Sequence, residues 1–159
     1  MANNNLLIKA RLSYLNVFKA RGFQKDDEEK YSAVLLIPKK NKATIANIKK
    51  AINDAVEDGL EKYWSGKRPS NLWNPLRDGD TEKADQPEYA GMYFMTAKAQ
   101  ADRKPQLIDR DKNEIVDQTE LYSGCWGVVD VTFFPFDNRM KGVGVGLNAI
   151  MKYKDDEAF

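Results

Sequence analysis

The chain has 159 residues, 25 of them basic and 24 acidic, with one cysteine and no histidine. The length suits one domain, and 42% hydrophobic with 31% charged residues fits a globular chain rather than a disordered one. Lack of histidine removes the commonest general base near neutral pH and the commonest zinc ligand, and the lone Cys125 excludes an internal disulfide.

Residues 6–18 read as a first strand, because Ile8, Ala10, Leu12 and Tyr14 alternate with Lys9, Arg11 and Ser13. A charged turn over 25–30 leads to a second strand, Tyr31 to Ile37, which is nearly continuous in apolar residues and ended by Pro38. Thr44 to Tyr63 reads as the one long helix. Ile45, Ile48, Ile52, Ala55, Val56, Leu60 and Tyr63 recur at three- and four-residue spacing, Lys49, Lys50, Asp54, Glu57 and Glu61 take the other face, and Thr44 is the expected N-cap. Residues 65–88 carry Pro69, Pro75 and Pro87 and read as a long irregular surface loop.

Met92 to Ala99 is a third strand. Residues 106–109 and 114–116 flank a turn at 110–113. Trp126 to Phe136 is a long strand, 138–141 a turn, and Gly142 to Tyr153 the last strand, with Val143, Val145, Leu147, Ala149 and Met151 on one side. Glycines at 142, 144 and 146 imply tight curvature or the close approach of another chain. One long helix among so many strands argues against a doubly wound α/β fold. The expected fold is mainly β, a small barrel with the helix between strands two and three. No apolar run approaches the roughly 20 residues of a membrane-spanning helix, and Met1–Asn5 has neither the basic nor the apolar part of a secretory signal.

Single-stranded nucleic acid is held by a positive groove and by aromatic faces on which bases stack. Lys9 and Arg11 share a face of the first strand, Phe94 and Lys98 a face of the third, and Trp126 lies opposite Cys125 and Gly127. With Tyr14, Phe136 and Arg139 they form the candidate nucleic-acid contacts. Arg103 and Lys104, next to Pro105, read as a phosphate clamp. Against each aromatic stands its commoner use in strands, which is packing. Asp78-Gly79-Asp80, Asp109 and Asp111 are acids of the kind that hold divalent metals in nucleases, but their spacing matches no metal motif. The run from Gly142 lacks the Gly-Lys-Ser/Thr ending and the following helix of a phosphate loop. No metal and no cofactor is expected.

The last five residues carry three acids, Asp155, Asp156 and Glu157, and end in Phe159. Without those acids the remainder holds 25 basic against 21 acidic residues and is mildly basic. Terminal acid runs serve as interaction tails, and such a tail can compete with DNA for a basic groove. Asp155, Asp156, Glu157 and Phe159 are therefore the expected partner-binding residues.

The second half carries Lys104-Pro105-Gln106-Leu107-Ile108-Asp109, then Leu121-Tyr122-Ser123-Gly124-Cys125-Trp126, then Phe133-Phe134-Pro135-Phe136-Asp137-Asn138, and the glycine-rich stretch from Gly142 through Leu147-Asn148-Ala149-Ile150. In these segments the chain resembles a tailed-phage family, once of unknown function, whose members are assigned as OB-fold single-stranded DNA-binding proteins. The resemblance runs from about Leu6 to the tail. It implies an OB-fold over residues 1–153, with 154–159 as the start of an acidic tail for replication proteins. It also implies a role in phage replication or recombination and binding of single-stranded DNA with little sequence preference. The chain is further expected to be no enzyme, to self-associate on DNA and to act in the cytoplasm of an infected bacterium. Two other readings stay open: a metal-dependent nuclease using Asp78, Asp80, Asp109 or Asp111, and a self-assembling structural or adaptor protein of the virion.

Overall fold

Strands that bury every second residue must bring those faces together, and here five long strands do so by curling into a ring. The computed structural model describes residues 5–22 and 28–159. Its strands are β1 (Asn5–Arg21), β2 (Lys30–Pro38), β3 (Arg77–Asp78), β4 (Met92–Gln100), β5 (Gln106–Ile108), β6 (Trp126–Asp137) and β7 (Lys141–Lys154). The helices are α1 (Lys42–Lys62) and the short α2 (Gly79–Glu82), with a 3-10 turn at Pro87–Tyr89. The first half of the charged turn expected over 25–30 lies outside the described residues, and Lys30 already belongs to β2.

The strands pair antiparallel in the order β4-β2-β1-β6-β7, and a parallel pairing at Lys98 and Gly146 joins β7 back to β4. Closure removes the exposed edges of the sheet. The interior is filled by inward residues of each strand, among them Ile8 and Leu12 of β1, Leu35 and Ile37 of β2, Met95 of β4, Val129, Val131 and Phe133 of β6, and Val145, Leu147 and Ile150 of β7. This is the five-stranded barrel of an OB-fold. β5 adds to the outer side of β7 in parallel, and α1 packs chiefly on β6 and also on β1, burying Ile45, Ile48, Ala55 and Val56. Gly59 lets the helix settle against Trp64, where a Cβ would come within 2.3 Å of the indole.

The helix starts at Lys42, not at Thr44. Asn41 is its N-cap, without a capping side-chain bond. The turn before it, in which Asn41 N–H donates to the Pro38 carbonyl at 3.0 Å, already sets the chain on a helical path.

Two irregularities override the period-two reading. β1 is bulged between Ser13 and Asn16, with Tyr14 at φ 45°. The bulge turns Tyr14 outward, 57% exposed, and Val17 and Ala20 take the inward places beyond it. In β7 the register slips at Asn148, so that Leu147 opposes Val131 while Ala149 opposes Asp130. Beyond the slip Ile150 points inward, and Ala149 and Met151, expected inside, are only half-buried.

Residues 65–88 are more ordered than their prolines suggest. β3 pairs with β4, Arg77 opposite Phe94. The segment that follows folds over the outer side of β2 and β4, where Leu36 and Tyr89 are buried and Tyr89 meets Phe94 edge-on at 5.2 Å. Lys39 ties this cover down. Its ammonium lies 2.7 Å from both Asp78 Oδ1 and Asp80 Oδ2, and Asp80 Oδ1 also accepts from Gly91 N–H at 3.0 Å. The Lys39 hydrogen bonds hold both carboxyls below the usual carboxylate range, and the two aspartates raise Lys39 above its usual value.

Two outcomes follow. Phe133→Ala empties the centre of the barrel and should cost about 3–5 kcal/mol in urea unfolding. For the latch, depressed carboxyl pKa values mean that its stabilisation is present above the usual carboxylate pKa of about 4 and is lost as pH falls through the lowered values. Melting curves taken through that acid range should therefore fall less steeply for Asp78→Asn/Asp80→Asn than for the unmodified chain.

Candidate nucleic-acid interface

The glycines of β7 shape the first candidate surface. They alternate with the inward Val143 and Val145, so Gly142, Gly144 and Gly146 face outward and leave that stretch of the wall flat. At Gly144 a Cβ would come within 2.5 Å of the Phe134 ring, which lies across the glycine from the facing position on β6. The ring is still 42% exposed. At Gly142 a Cβ would come within 2.5 Å of Trp73, whose backbone bridges to β7 by Trp73 N–H to the Lys141 carbonyl (2.9 Å) and Val143 N–H to the Trp73 carbonyl (3.1 Å). Close approach occurs here, but by this chain's own loop rather than by another chain. Trp73 is 40% exposed. The Arg77 guanidinium lies 4.4 Å from its ring centroid and is held there by a two-pronged pairing with Glu82 at 2.8 and 2.9 Å. Exposed Lys98 stands opposite Gly146, and Arg139 and Met140 are exposed in the β6–β7 hairpin beside the same floor. The outer wall around the third barrel strand and this hairpin are where OB-folds take oligonucleotides.

A second surface lies on β1, β6 and the far end of β7. The Lys9 ammonium is 3.9 Å from the Tyr153 ring centroid and the Arg110 guanidinium 4.9 Å from it, while Lys154 lies 5.4 Å from that of Trp126. Lys9 foremost, then Arg110, draws the Tyr153 phenol below its usual range. Arg11 lies opposite Trp126 in the β1–β6 pairing.

The acidic tail is docked on this second surface. Trp126 Nε1 donates to Asp156 Oδ2 at 2.8 Å, and Arg11 pairs with the other oxygen of that carboxylate at 3.6 Å, donates to the Glu157 carbonyl at 2.6 Å and stacks on Phe159 at 4.4 Å. Asp155 takes Lys152 at 2.6 Å and the Tyr122 hydroxyl at 3.0 Å. Trp126 foremost lowers the Asp156 carboxyl, and Lys152 foremost lowers Asp155. Gly124, at φ 115°, provides the room, since a Cβ there would come within 2.4 Å of the Glu157 carbonyl oxygen.

The ten candidate contacts therefore do not form one patch. Lys9, Arg11 and Trp126 gather on the second surface. Lys98 and Arg139 border the glycine floor, where Phe136 lies half-buried opposite Gly142. Tyr14 stands out on its bulge, its hydroxyl 3.4 Å from Gln86 Oε1. Arg103 and Lys104 are exposed just after β4. Phe94 is half-buried, its ring edge-on to Tyr89 at 5.2 Å, and stands apart from both surfaces. Trp73, Arg77, Phe134, Arg110 and Tyr153 were not anticipated. The alternating glycines are the signal that pointed to Phe134 and Trp73.

Three of the four acids of the nuclease reading are already engaged. Asp78 and Asp80 are taken by Lys39, and Asp109 Oδ1 accepts the Asp111 and Asn113 amides of its own turn at 2.8 and 3.0 Å. Among the described residues no three acids, cysteines or histidines converge as a metal site would require. Nor, among them, is any helix long and apolar enough to cross a membrane.

Comparison with known proteins places this geometry. The single-stranded DNA-binding protein of bacteriophage Enc34, solved in complex with ssDNA, superposes with a TM-score of 0.79 at 29% identity, over 98% of this chain and 89% of that one. The single-stranded DNA-binding protein gp2.5 of bacteriophage T7 superposes with a TM-score of 0.67 over 99% of this chain and 95% of that one; at 16% identity it shows the shared fold alone. In sequence, protein p50 of Acyrthosiphon pisum secondary endosymbiont phage 1 is 29% identical over 96% of this chain and 84% of its own length. Residues 4–159 match the family described as "Enterobacter phage Enc34, ssDNA-binding protein", and the chain belongs to that family of phage single-stranded DNA-binding proteins.

Proposed function

We propose that this chain binds single-stranded DNA, without catalysis, in the cytoplasm of an infected bacterium during phage replication or recombination. The strand runs over the glycine floor of β7. The observation that carries this reading is the placement of Phe134: its ring lies over Gly144, where a Cβ would come within 2.5 Å of it, and the residue is 42% exposed. A base can stack there whatever its identity, because every base has a π-face, and the glycines let it approach the sheet. Trp73 offers a second ring, steadied by Arg77. Lys98, Arg139 and Arg77 border these rings at positions suited to backbone phosphates, with Tyr14, Phe136, Arg103 and Lys104 as outer contacts of a longer strand. The contacts are rings and charges rather than groups that read base edges, which favours binding with little sequence preference.

The barrel carries this function, and Asp155–Phe159 is the segment offered to replication proteins. Asp155 and Asp156 are held by ion pairs and hydrogen bonds at an exposed surface, which a basic partner can exchange for its own.

Anisotropy of a labelled oligo(dT) should rise on adding the chain at low salt, and binding should weaken as salt is added. Phe134→Ala and Trp73→Ala should each weaken it by about 5- to 150-fold, the ~1–3 kcal/mol of one base stack, with little change in melting temperature. Flat anisotropy of the unmodified chain at low salt would overturn the reading.

A further inference from the structure

The second surface has no part in the strand path just described, yet it is built to receive a strand. Lysine and arginine side chains are flexible, and ordering them on an anion costs entropy. Here the ordering is done in advance, since Tyr153 holds Lys9 and Arg110 beside its ring and Trp126 holds Lys154. Asp130, the acid of β6 on this wall, is engaged by the Asn148 side-chain amide at 3.2 Å. The wall also already binds a ligand of the right chemistry in cis. The tail lays a carboxylate on Arg11 and Trp126 Nε1, then a ring on the Arg11 guanidinium. An anion followed by a flat ring along an extended backbone is what single-stranded nucleic acid presents at every nucleotide.

We propose that the wall formed by β1, β6 and the far end of β7 is a second single-strand-binding surface. Lys9 and Arg110 clamp phosphate on the part the tail leaves open, and Arg11 with Trp126 takes the strand where the tail now lies. β7 contributes to both surfaces, its glycines to the first and Tyr153 and Lys154 to the second. A strand leaving the floor can therefore continue round the barrel. This inference rests on single-stranded DNA binding at the first surface and adds to its length.

The test uses the full chain with its tail neutralised, Asp155→Asn/Asp156→Asn/Glu157→Gln, so that the tail's ion pairs no longer compete for the wall. Oligo(dT) of increasing length is titrated at several salt concentrations. Adding Lys9→Ala/Arg110→Ala should shorten the length of strand occluded per protein. It should also flatten the dependence of log affinity on log salt by about 1.4, from two phosphate contacts at ~0.7 each. Lys9→Arg/Arg110→Lys should restore both. Phe134→Ala should weaken binding with the salt slope unchanged. Occluded length and slope unaltered by Lys9→Ala/Arg110→Ala would overturn the second surface alone. So would a synthetic peptide of the tail sequence occupying the wall while those two quantities stay fixed, since the wall would then be a site for acidic peptides. Failure of the underlying reading looks different: the chain with both surfaces intact would bind no oligonucleotide at all.

Discussion

The molecule depends on how β7 closes the barrel. This strand must present apolar side chains inward, lie parallel to β4 at Gly146 and Lys98, and pair with β6 along nearly its whole length. Val143, Val145 and Leu147 meet the first demand. The intervening glycines put nothing on the outer side, so the Trp73 loop and the Phe134 ring can lie directly on backbone. A side chain at Gly142 or Gly144 would displace one or the other. Packing of the core and shape of the interface are therefore two faces of a single alternation. The entropic cost of glycine in a strand is offset where a ring or a backbone covers it.

Charge is handled by a common device across the surface. The net charge is only +1, too small for a general attraction to nucleic acid, so local arrangement must do the work. Arg77 rests on Trp73, Lys9 and Arg110 on Tyr153, Lys154 on Trp126 and Arg11 on Phe159. Each such contact is worth about 0.5–1 kcal/mol at an exposed site. That is small for stability, but it is enough to bias where a long side chain spends its time. Rings that hold cations make an ordered positive surface from a nearly neutral chain.

The tail shows the same economy. Asp155 and Asp156 do not fray into solvent but occupy the cations and the indole N–H of one wall, and Gly124 makes room for their backbone. Exposed ion pairs are individually weak, so the docking rests on several of them together with the indole hydrogen bond and the Arg11–Phe159 contact.

Periodicity in the sequence determined the strands, the long helix and much of the core: Ile8, Leu12 and Val145 are buried as their alternation requires. It determined that mainly β class because burying alternate residues is a local constraint, legible one strand at a time. Residue type alone also narrowed the chemistry, since a chain without histidine and with one cysteine has few ways to hold zinc. Only the tertiary structure decided which aromatic residues face solvent. A bulge rotated Tyr14 out of the core, a slip at Asn148 exchanged the faces of the end of β7, and Tyr89 came to lie edge-on against Phe94. Tertiary structure alone also placed Trp73 over a glycine some seventy residues away and brought the tail back to Arg11. These contacts join positions distant in sequence, and no local period carries information about what another segment will cover.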